Sequence, residues 1–243
     1  MVMTRMLAFF FIFAAGLSPA VLGAQNPPQW MVPLRDAIYE QQLTANQIVP
    51  VYNSAKAAAR QNLSGAALNL ALSRCEFLMG RAYLFEERNE QARTHFTEGL
   101  RIADNAVQTA PSDEAWVLRA ENLSHICQIS SMTFVMANGL KVEEYAKNAL
   151  QYNSRNAKAQ YLIAARWVYA PAPFNNIKKG IEMMTAIIQN GDMGKDDRFN
   201  VYSAIGYAHL QQKRNADART WLQRSLEVYP TNKFASGLLS SIN

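Results

Sequence analysis

The chain of 243 residues carries 24 lysine and arginine residues against 19 aspartate and glutamate residues, a formal net charge of +5. This small excess is spread over the whole chain, without a basic stripe interleaved with aromatic residues, which argues against a nucleic-acid partner. Hydrophobic residues make up 49% of the sequence, which is enough for a sizeable core, so we expect a globular body.

The first residues have the pattern of a secretory signal peptide. Arg5 is followed by an apolar run from Met6 to Leu17 and then by small residues. This run of twelve residues is shorter than the about 20 that span a bilayer, although a retained anchor is the alternative. We predict a signal peptide over 1–24, no integral membrane span after its cleavage, and a protein that is periplasmic or secreted. No cysteine lies near the cleavage site to carry a lipid.

The remaining sequence predicts helices almost throughout. Apolar residues recur at i, i+3, i+4 and i+7, and no window alternates as β-strands do. We predict an all-α protein with an N-terminal helical cap over 25–63 and a solenoid of helix pairs over 64–243 that ends in a capping helix. Helix start and stop patterns place the helices near 31–43, 45–61, 64–87, 90–109, 113–137, 141–152, 156–168, 175–189, 197–212, 216–228 and 231–241.

A regular spacing of small residues marks the last part of the chain. Gly206, Ala218 and Pro230 stand at two equal intervals of twelve residues. Antiparallel helices cross closely only where side chains are small, so we predict that Gly206 and Ala218 supply a close approach and that Pro230 ends the pair. Gly80 and Ala92 repeat the spacing 126 residues earlier, which equals three steps of 42. Helix pairs that recur every 20 to 50 residues indicate a solenoid.

These residues resemble the pattern of tetratricopeptide repeat (TPR) proteins. The last copy of the pattern consists of Tyr202, Ile205, Gly206, Ala218, Leu222, Ser225 and Pro230. The first clear copy consists of Met79, Gly80, Tyr83, Ala92 and Phe96, with Glu76 at the bulky position. Of the two intermediate steps, Ala164 fits the glycine position and Asn122 departs from it. The resemblance covers about residues 64 to 241 and implies a right-handed superhelical solenoid of antiparallel helix pairs, with a step longer than the usual 34 residues.

The resemblance also implies where a partner binds. In TPR proteins the first helix of each pair lines a concave groove, at fixed offsets around the glycine position. Carried over to this chain, the groove positions are Arg74, Phe77, Arg81, Lys158, Tyr161, Asn200, Ser203 and Tyr207. This basic and aromatic wall suits an acidic or C-terminal peptide segment, or a polar small molecule.

One connection between helices is unusually aromatic. The stretch WVYAPAPFNN, residues 167–176, places aromatic residues around Pro171 and Pro173. Because the prolines force an extended backbone, Tyr169 and Phe174 form a rigid ridge for a partner in one interpretation. In the other, the aromatic rings fold down onto the solenoid as a hydrophobic plug.

The sequence contains no pattern typical of catalysis or of a cofactor. The three histidines lack HExxH spacing, and there is no GxSxG motif. The segment 191–197 lacks the spacing of a P-loop or an EF-hand, so we interpret its aspartates as helix caps. Cys75 and Cys127 are 52 residues apart and could form one disulfide or remain buried thiols. We predict no catalytic residue, no metal site and no cofactor.

The predicted function is therefore binding. We expect a periplasmic TPR-type interaction or scaffolding module that holds a protein or peptide partner in its concave groove. The layout, an export signal followed by irregular repeats, also resembles that of periplasmic TPR accessory proteins of TRAP-type transporters. That resemblance implies the alternative, a small-ligand-binding accessory component of a transport system, with a transporter substrate-binding protein as its partner.

Overall fold

The computed structural model describes residues 27–242, and within that range it is helical with no β-strand. After a short 3-10 helix, Gln29–Met31, the helices are α1 (Val32–Glu40), α2 (Ala45–Asn62), α3 (Gly65–Phe85), α4 (Asn89–Thr109), α5 (Asp113–Gln128), α6 (Met132–Tyr152), α7 (Ala157–Tyr169), α8 (Ile177–Asn190), α9 (Lys195–Gln211), α10 (Asn215–Val228) and α11 (Lys233–Ser240). The all-α prediction is confirmed. The predicted signal peptide lies outside the described residues, and none of the described helices is both long and apolar enough to cross a membrane.

The sequence placed one helix boundary wrongly. A break was predicted after residue 137, near Gly139, but α5 ends at Gln128 and α6 continues through Gly139. The reason is a serine cap, because the Ser131 side chain accepts a hydrogen bond from the Phe134 amide at 3.4 Å and starts α6 there.

Successive helices pack as pairs, and the two glycines of the predicted spacing permit close contacts within two of them. The pairs are α3 with α4, α5 with α6, α7 with α8 and α9 with α10, and α11 covers α10. A Cβ atom added at Gly206 would lie 2.7 Å from Leu222 Cγ, and one added at Gly80 would lie 2.5 Å from Phe96 Cε1. At Gly80 and at Gly206 the space is thus filled by a large side chain. Each of these side chains, Phe96 and Leu222, lies four residues after the alanine that the spacing predicted.

Asn122, which departs from the repeat pattern, is fully buried in α5. Its Nδ2 atom donates to the Leu118 carbonyl oxygen at 2.8 Å, and its Oδ1 atom occupies the space where Gly99 of α4 lacks a side chain. Ser73 of α3 donates to the Gly99 carbonyl oxygen at 2.8 Å. Asn122 Nδ2 also lies 3.5 Å from Ser73 Oγ, so this residue contacts the preceding helix pair at both Ser73 and Gly99.

A buried carboxylate joins the first helices of the array. Glu76 of α3 accepts hydrogen bonds from the Tyr52 hydroxyl at 2.6 Å, from Lys56 Nζ at 2.5 Å and from His95 Nδ1 at 2.7 Å. Burial alone would raise the pKa of Glu76, but the bonds from His95, Lys56 and Tyr52 lower it to about 2. Helices α2, α3 and α4 are thus tied together through one charged group.

Helix α1 closes the array into a ring. It packs on α3 at one side, while its Tyr39 ring stacks on Tyr229 at 4.9 Å and meets Phe199 of α9 edge-on at 5.5 Å. Since α3, α5, α7 and α9 also pack on one another in order, these four helices and α1 surround a common axis. We call their axis-facing side the inner surface, and the contact of α1 with α9, with α11 and with the α10–α11 connection the seam.

Candidate functional site: the inner surface

The predicted groove residues lie on α3, α7 and α9, three of the five helices that form the inner surface. The structure divides them between two ends of the ring. Arg74 and Lys158 lie at a charged end, near the starts of α5, α7 and α9. Arg81 and Tyr207 lie at an aromatic end, toward the C-terminal ends of α3 and α9, and the Tyr161 hydroxyl reaches this end from the middle of α7. Their assignment as binding residues stays a prediction.

At the charged end, Arg74 is neutralised by acids of the neighbouring helix. Its guanidinium group donates to Glu114 Oε1 at 2.7 Å and to Glu121 Oε2 at 2.5 Å. Although burial alone would lower the pKa of Arg74, Glu121 and Glu114 raise it above its ordinary value. Arg74 is therefore a permanent cation with two internal partners.

Lys158 of α7 is neutralised in the same way by the start of α9. Its ammonium group donates to Asp196 Oδ2 at 2.9 Å and to Asp197 Oδ1 at 2.6 Å. The Asp197 Oδ2 atom also accepts from the Gly194 amide at 2.9 Å, so the interpretation as a helix cap holds for Asp197, whereas Asp192 pairs with Arg155 and Asp196 with Lys158. The sequence predicted a basic wall, yet two of its three cations have acidic neighbours that the repeat pattern did not include.

A small cavity remains among these charges. It has a volume of about 70 Å³, and each of the five inner helices contributes to its wall, with Arg35, Arg74, Glu114, Lys158 and Asp196. At about 10–15 Å³ for each water, such a space holds a few waters or a very small ligand. The charges at this end are thus mostly paired with one another around a small space.

At the aromatic end, Arg81 is surrounded by rings. Its guanidinium carbon lies 4.4 Å from the ring centroid of Tyr39, 5.4 Å from that of Phe85 and 5.9 Å from that of Phe77. Among residues 27–242 it makes neither an ion pair nor a side-chain hydrogen bond. Cation–π contacts leave the N–H donors of the guanidinium group available. Arg81 is therefore the one predicted groove cation that lacks an internal anion within the described chain.

Tyrosines extend this end from α7 to α9. The Tyr169 ring stacks on Tyr207 at 5.2 Å, and the Tyr161 hydroxyl lies beside that of Tyr169. Burial raises the pKa of Tyr161 to about 12.

His125 of α5 lies against Phe77 at 5.0 Å, and burial, together with the charge of Arg81, lowers the pKa of His125 to about 3. The histidine is therefore neutral, and Arg81 supplies the positive charge of this end.

Three further predicted residues are engaged within the fold. Asn200 donates from Nδ2 to the Tyr39 hydroxyl at 3.0 Å, so α1 already occupies this groove position. Phe77 and Ser203 are buried. A partner reaches these residues only if the helices around them move.

The aromatic connection over residues 167–176 combines both interpretations. Phe174 is 59% exposed, as a ridge would require, whereas Tyr169, although 43% exposed, lies on Tyr207. Trp167 lies between two cations, with Lys179 Nζ 3.9 Å and the Arg166 guanidinium carbon 4.9 Å from its ring. Phe174 is thus the aromatic side chain of this connection that is most available for a partner.

The two cysteines are unpaired. Cys75 of α3 is fully buried, and burial raises its pKa to about 12. Cys127 of α5 is partly exposed. Of the two alternatives left open by the sequence, the structure has free thiols. Within the part of the chain that the structure describes, no group of His, Cys, Asp and Glu side chains is placed to hold a metal ion.

The sequence missed the contribution of α1 to the inner surface. Arg35 and Tyr39 lie on the segment predicted as an N-terminal cap, and their place follows from ring closure, which brings residues 193 positions apart into contact, as with Tyr39 and Asn232. A repeat pattern describes neighbouring repeats only. Three of the four acidic partners of Arg74 and Lys158, namely Glu114, Asp196 and Asp197, were visible as acids at helix starts, which favoured a capping role, whereas Glu121 lies in the middle of α5.

Fold comparison defines the class as an all-α, TPR-like solenoid. The structure resembles that of TTC0263, a thermophilic TPR protein in Thermus thermophilus, with a TM-score of 0.56 and 15% sequence identity over 88% of this chain and 98% of that one. It also aligns with YrrB, described as a TPR protein with an unusual peptide-binding site, at 11% identity over 86% of this chain and 89% of that one. The TM-score of 0.37 with YrrB is too low to support any inference. No protein-family model and no curated protein sequence matches this chain.

Proposed function

We propose that this protein is an exported, non-catalytic interaction module that holds a segment of a partner protein at the aromatic end of its inner surface. Export is supported by the apolar run from Met6 to Leu17 that follows Arg5. The TPR-like architecture supports binding, because solenoids of helix pairs present extended inner surfaces to their ligands.

The observation that carries this proposal is the unpaired Arg81. A buried or half-buried cation normally has an anionic partner, and Arg74 and Lys158 on the same surface each have two. Arg81 has aromatic faces instead. A partner carboxylate or backbone carbonyl would accept from its free donors, while aromatic or apolar side chains of the partner pack on Tyr207 and Phe174.

The test is capture of the partner after crosslinking in the native host. The double variant Arg81→Gln with Tyr207→Ala should reduce capture about tenfold or more, which corresponds to about 1.4 kcal/mol of binding free energy. Neither residue anchors the fold through an ion pair, so helicity should be unchanged in circular dichroism.

The matched control is Arg101→Gln with Tyr152→Ala. Arg101 is exposed on α4, where it pairs only with Glu98, and Tyr152 is exposed at the end of α6. This variant loses the same side-chain types away from the inner surface and should capture as well as the unmodified protein. Equal capture by the two double variants would contradict the proposal.

A second candidate function follows from the cavity at the charged end. Its wall contains both basic and acidic groups from all five inner helices, which suits a small polar ligand carried for a transport system, with a substrate-binding protein as the macromolecular partner. Native mass spectrometry of protein purified from its own host distinguishes the two. A retained mass increment supports the small-ligand function, and bare protein supports the interaction module.

A further inference from the structure

We infer that the ring is a clasp that opens at the seam between α1 and the C-terminal helices, and that opening admits the partner to the inner surface. This inference rests on the proposed function for its second part. Its first part, the opening itself, concerns the fold alone and is measurable without any partner.

The seam is polar and narrow. Its buried apolar part consists of Tyr39, Phe199, Tyr229 and Ala235, a cluster separate from the main cores of the protein. The rest is hydrogen bonds and one ion pair. The hydrogen bonds are Asn200 to the Tyr39 hydroxyl at 3.0 Å, Tyr229 to Asp36 at 3.2 Å, Thr231 to the Glu40 carbonyl at 2.8 Å, Asn232 to the Tyr39 carbonyl at 2.7 Å, and the Lys233 and Phe234 amides to Gln41 at 2.8 and 3.4 Å. The ion pair joins Lys195 and Asp36 at 3.5 Å.

The other joints of the ring differ in kind. Helices α3, α5, α7 and α9 are each linked to the next through the second helix of a pair, and neighbouring pairs share apolar cores. At the seam the contacting residues are far apart in sequence, so no short backbone connection holds them together once their contacts part. No helix pair has to be disrupted. The seam is therefore the joint of lowest local stability.

Opening at the seam frees one predicted binding residue directly. Tyr39 covers one face of the Arg81 guanidinium group, and its hydroxyl accepts a hydrogen bond from the Asn200 side chain. The contact with Asn200 ends when α1 separates from α9, whereas Tyr39 stays against Arg81 because α1 remains packed on α3. In the closed ring α1 thus takes the place of a ligand, and the partner competes with it for the aromatic end.

Hydrogen exchange of the full chain tests the opening. The amides of α11 near its start, which include the Lys233 amide bonded to Gln41, should exchange about 100-fold faster than the central amides of α3, since a local opening requires less free energy than global unfolding. Equal exchange of both sets would overturn the clasp, because the seam would then part only with global unfolding.

A covalent lock tests the link to binding. Glu40→Cys and Thr231→Cys, introduced with Cys75→Ala and Cys127→Ala, place two thiols across the seam, where Thr231 contacts Glu40. A short bismaleimide should slow exchange of the α11 amides to the level of α3 and reduce partner capture about tenfold. N-ethylmaleimide on the same protein modifies both thiols without joining them and should change neither.

The outcomes separate the two proposals. If the locked ring captures its partner as well as the unlinked protein, opening is not needed to admit the partner and the second part of the inference is wrong, whereas the Arg81 and Tyr207 double variant still decides the binding site. If that double variant captures normally, the proposed function is wrong, and exchange at the seam still reports whether the ring opens.

Discussion

The contact between Gly206 and Leu222 allows a sharp test of the repeat packing. In Gly206→Ala the new methyl group would lie 2.7 Å from Leu222 Cγ, 2.8 Å from its Cδ2 and 3.3 Å from its backbone nitrogen. A rotamer change moves the side-chain atoms but not the nitrogen, so α9 and α10 must separate slightly. Overpacking of this kind costs about 1–3 kcal/mol.

A matched variant removes the helix-propensity term. Alanine is favoured over glycine inside a helix by about 1 kcal/mol, and this gain is common to Gly206→Ala and Gly139→Ala. Gly139 lies inside α6, where the nearest atom to an added Cβ is Val135 Cγ1 at 3.7 Å, an ordinary contact. The difference between the two variants therefore isolates the packing cost, and we expect Gly206→Ala to be less stable than Gly139→Ala by about 1–3 kcal/mol.

Urea unfolding followed by circular dichroism measures this difference. Thermal melts provide a second measurement, because each kcal/mol shifts the Tm of a chain of this size by about 2–4 °C. Gly139→Ala should exceed the unmodified protein in stability. If Gly206→Ala gains as much as Gly139→Ala, the glycine is not needed for close approach of the helices, and the physical reason given for the repeat spacing is wrong.

Three further predictions concern buried polar groups. His125 has a pKa of about 3 in the folded protein against an ordinary 6.5, so the unfolded chain binds more protons between these two pH values. Urea titrations should therefore show about 2 kcal/mol of stability lost from pH 6.5 to pH 5, and His125→Leu should remove most of this loss. The pKa of Glu76 is lowered to about 2, so its stabilising contribution, about 3 kcal/mol at neutral pH, is lost as pH falls from about 4.5 to 2. At pH 7, Glu76→Gln should cost that amount in urea unfolding, and Glu98→Gln on the exposed face should cost less than about 0.5 kcal/mol. Iodoacetamide should label Cys127 and leave the buried Cys75 unmodified in the native protein, and mass spectrometry of equal labelling would contradict the burial of Cys75.

The sequence was sufficient for the helices and for their pairing, because both depend on local patterns. The apolar period predicts each helix, and the Gly80 and Gly206 spacings mark where two pairs come close. The misplaced start of α6 shows the limit of such reasoning. Gly139 is tolerated within a helix when a better cap, Ser131, is available a few residues earlier.

The candidate site was predicted only in part, since a groove position says nothing about what fills it. Arg74 and Lys158 lie on the inner surface as the resemblance implied, yet helix α5 and the start of α9 supply acids that neutralise them. Arg81 differs because its neighbours are aromatic. That distinction depends on contacts between distant helices, and those are set by tertiary packing rather than by spacing along one helix.

Closure of the ring fixes the number of helix pairs. An open solenoid can lengthen or shorten by one pair during evolution, because each added unit only has to match the unit before it. Here an inserted or deleted pair would rotate Phe199 and Tyr229 away from Tyr39, so the stacked rings at the seam could no longer meet. Duplication of a single repeat, a common route of change in proteins of this architecture, is thereby closed to this protein unless its first helix is also rebuilt.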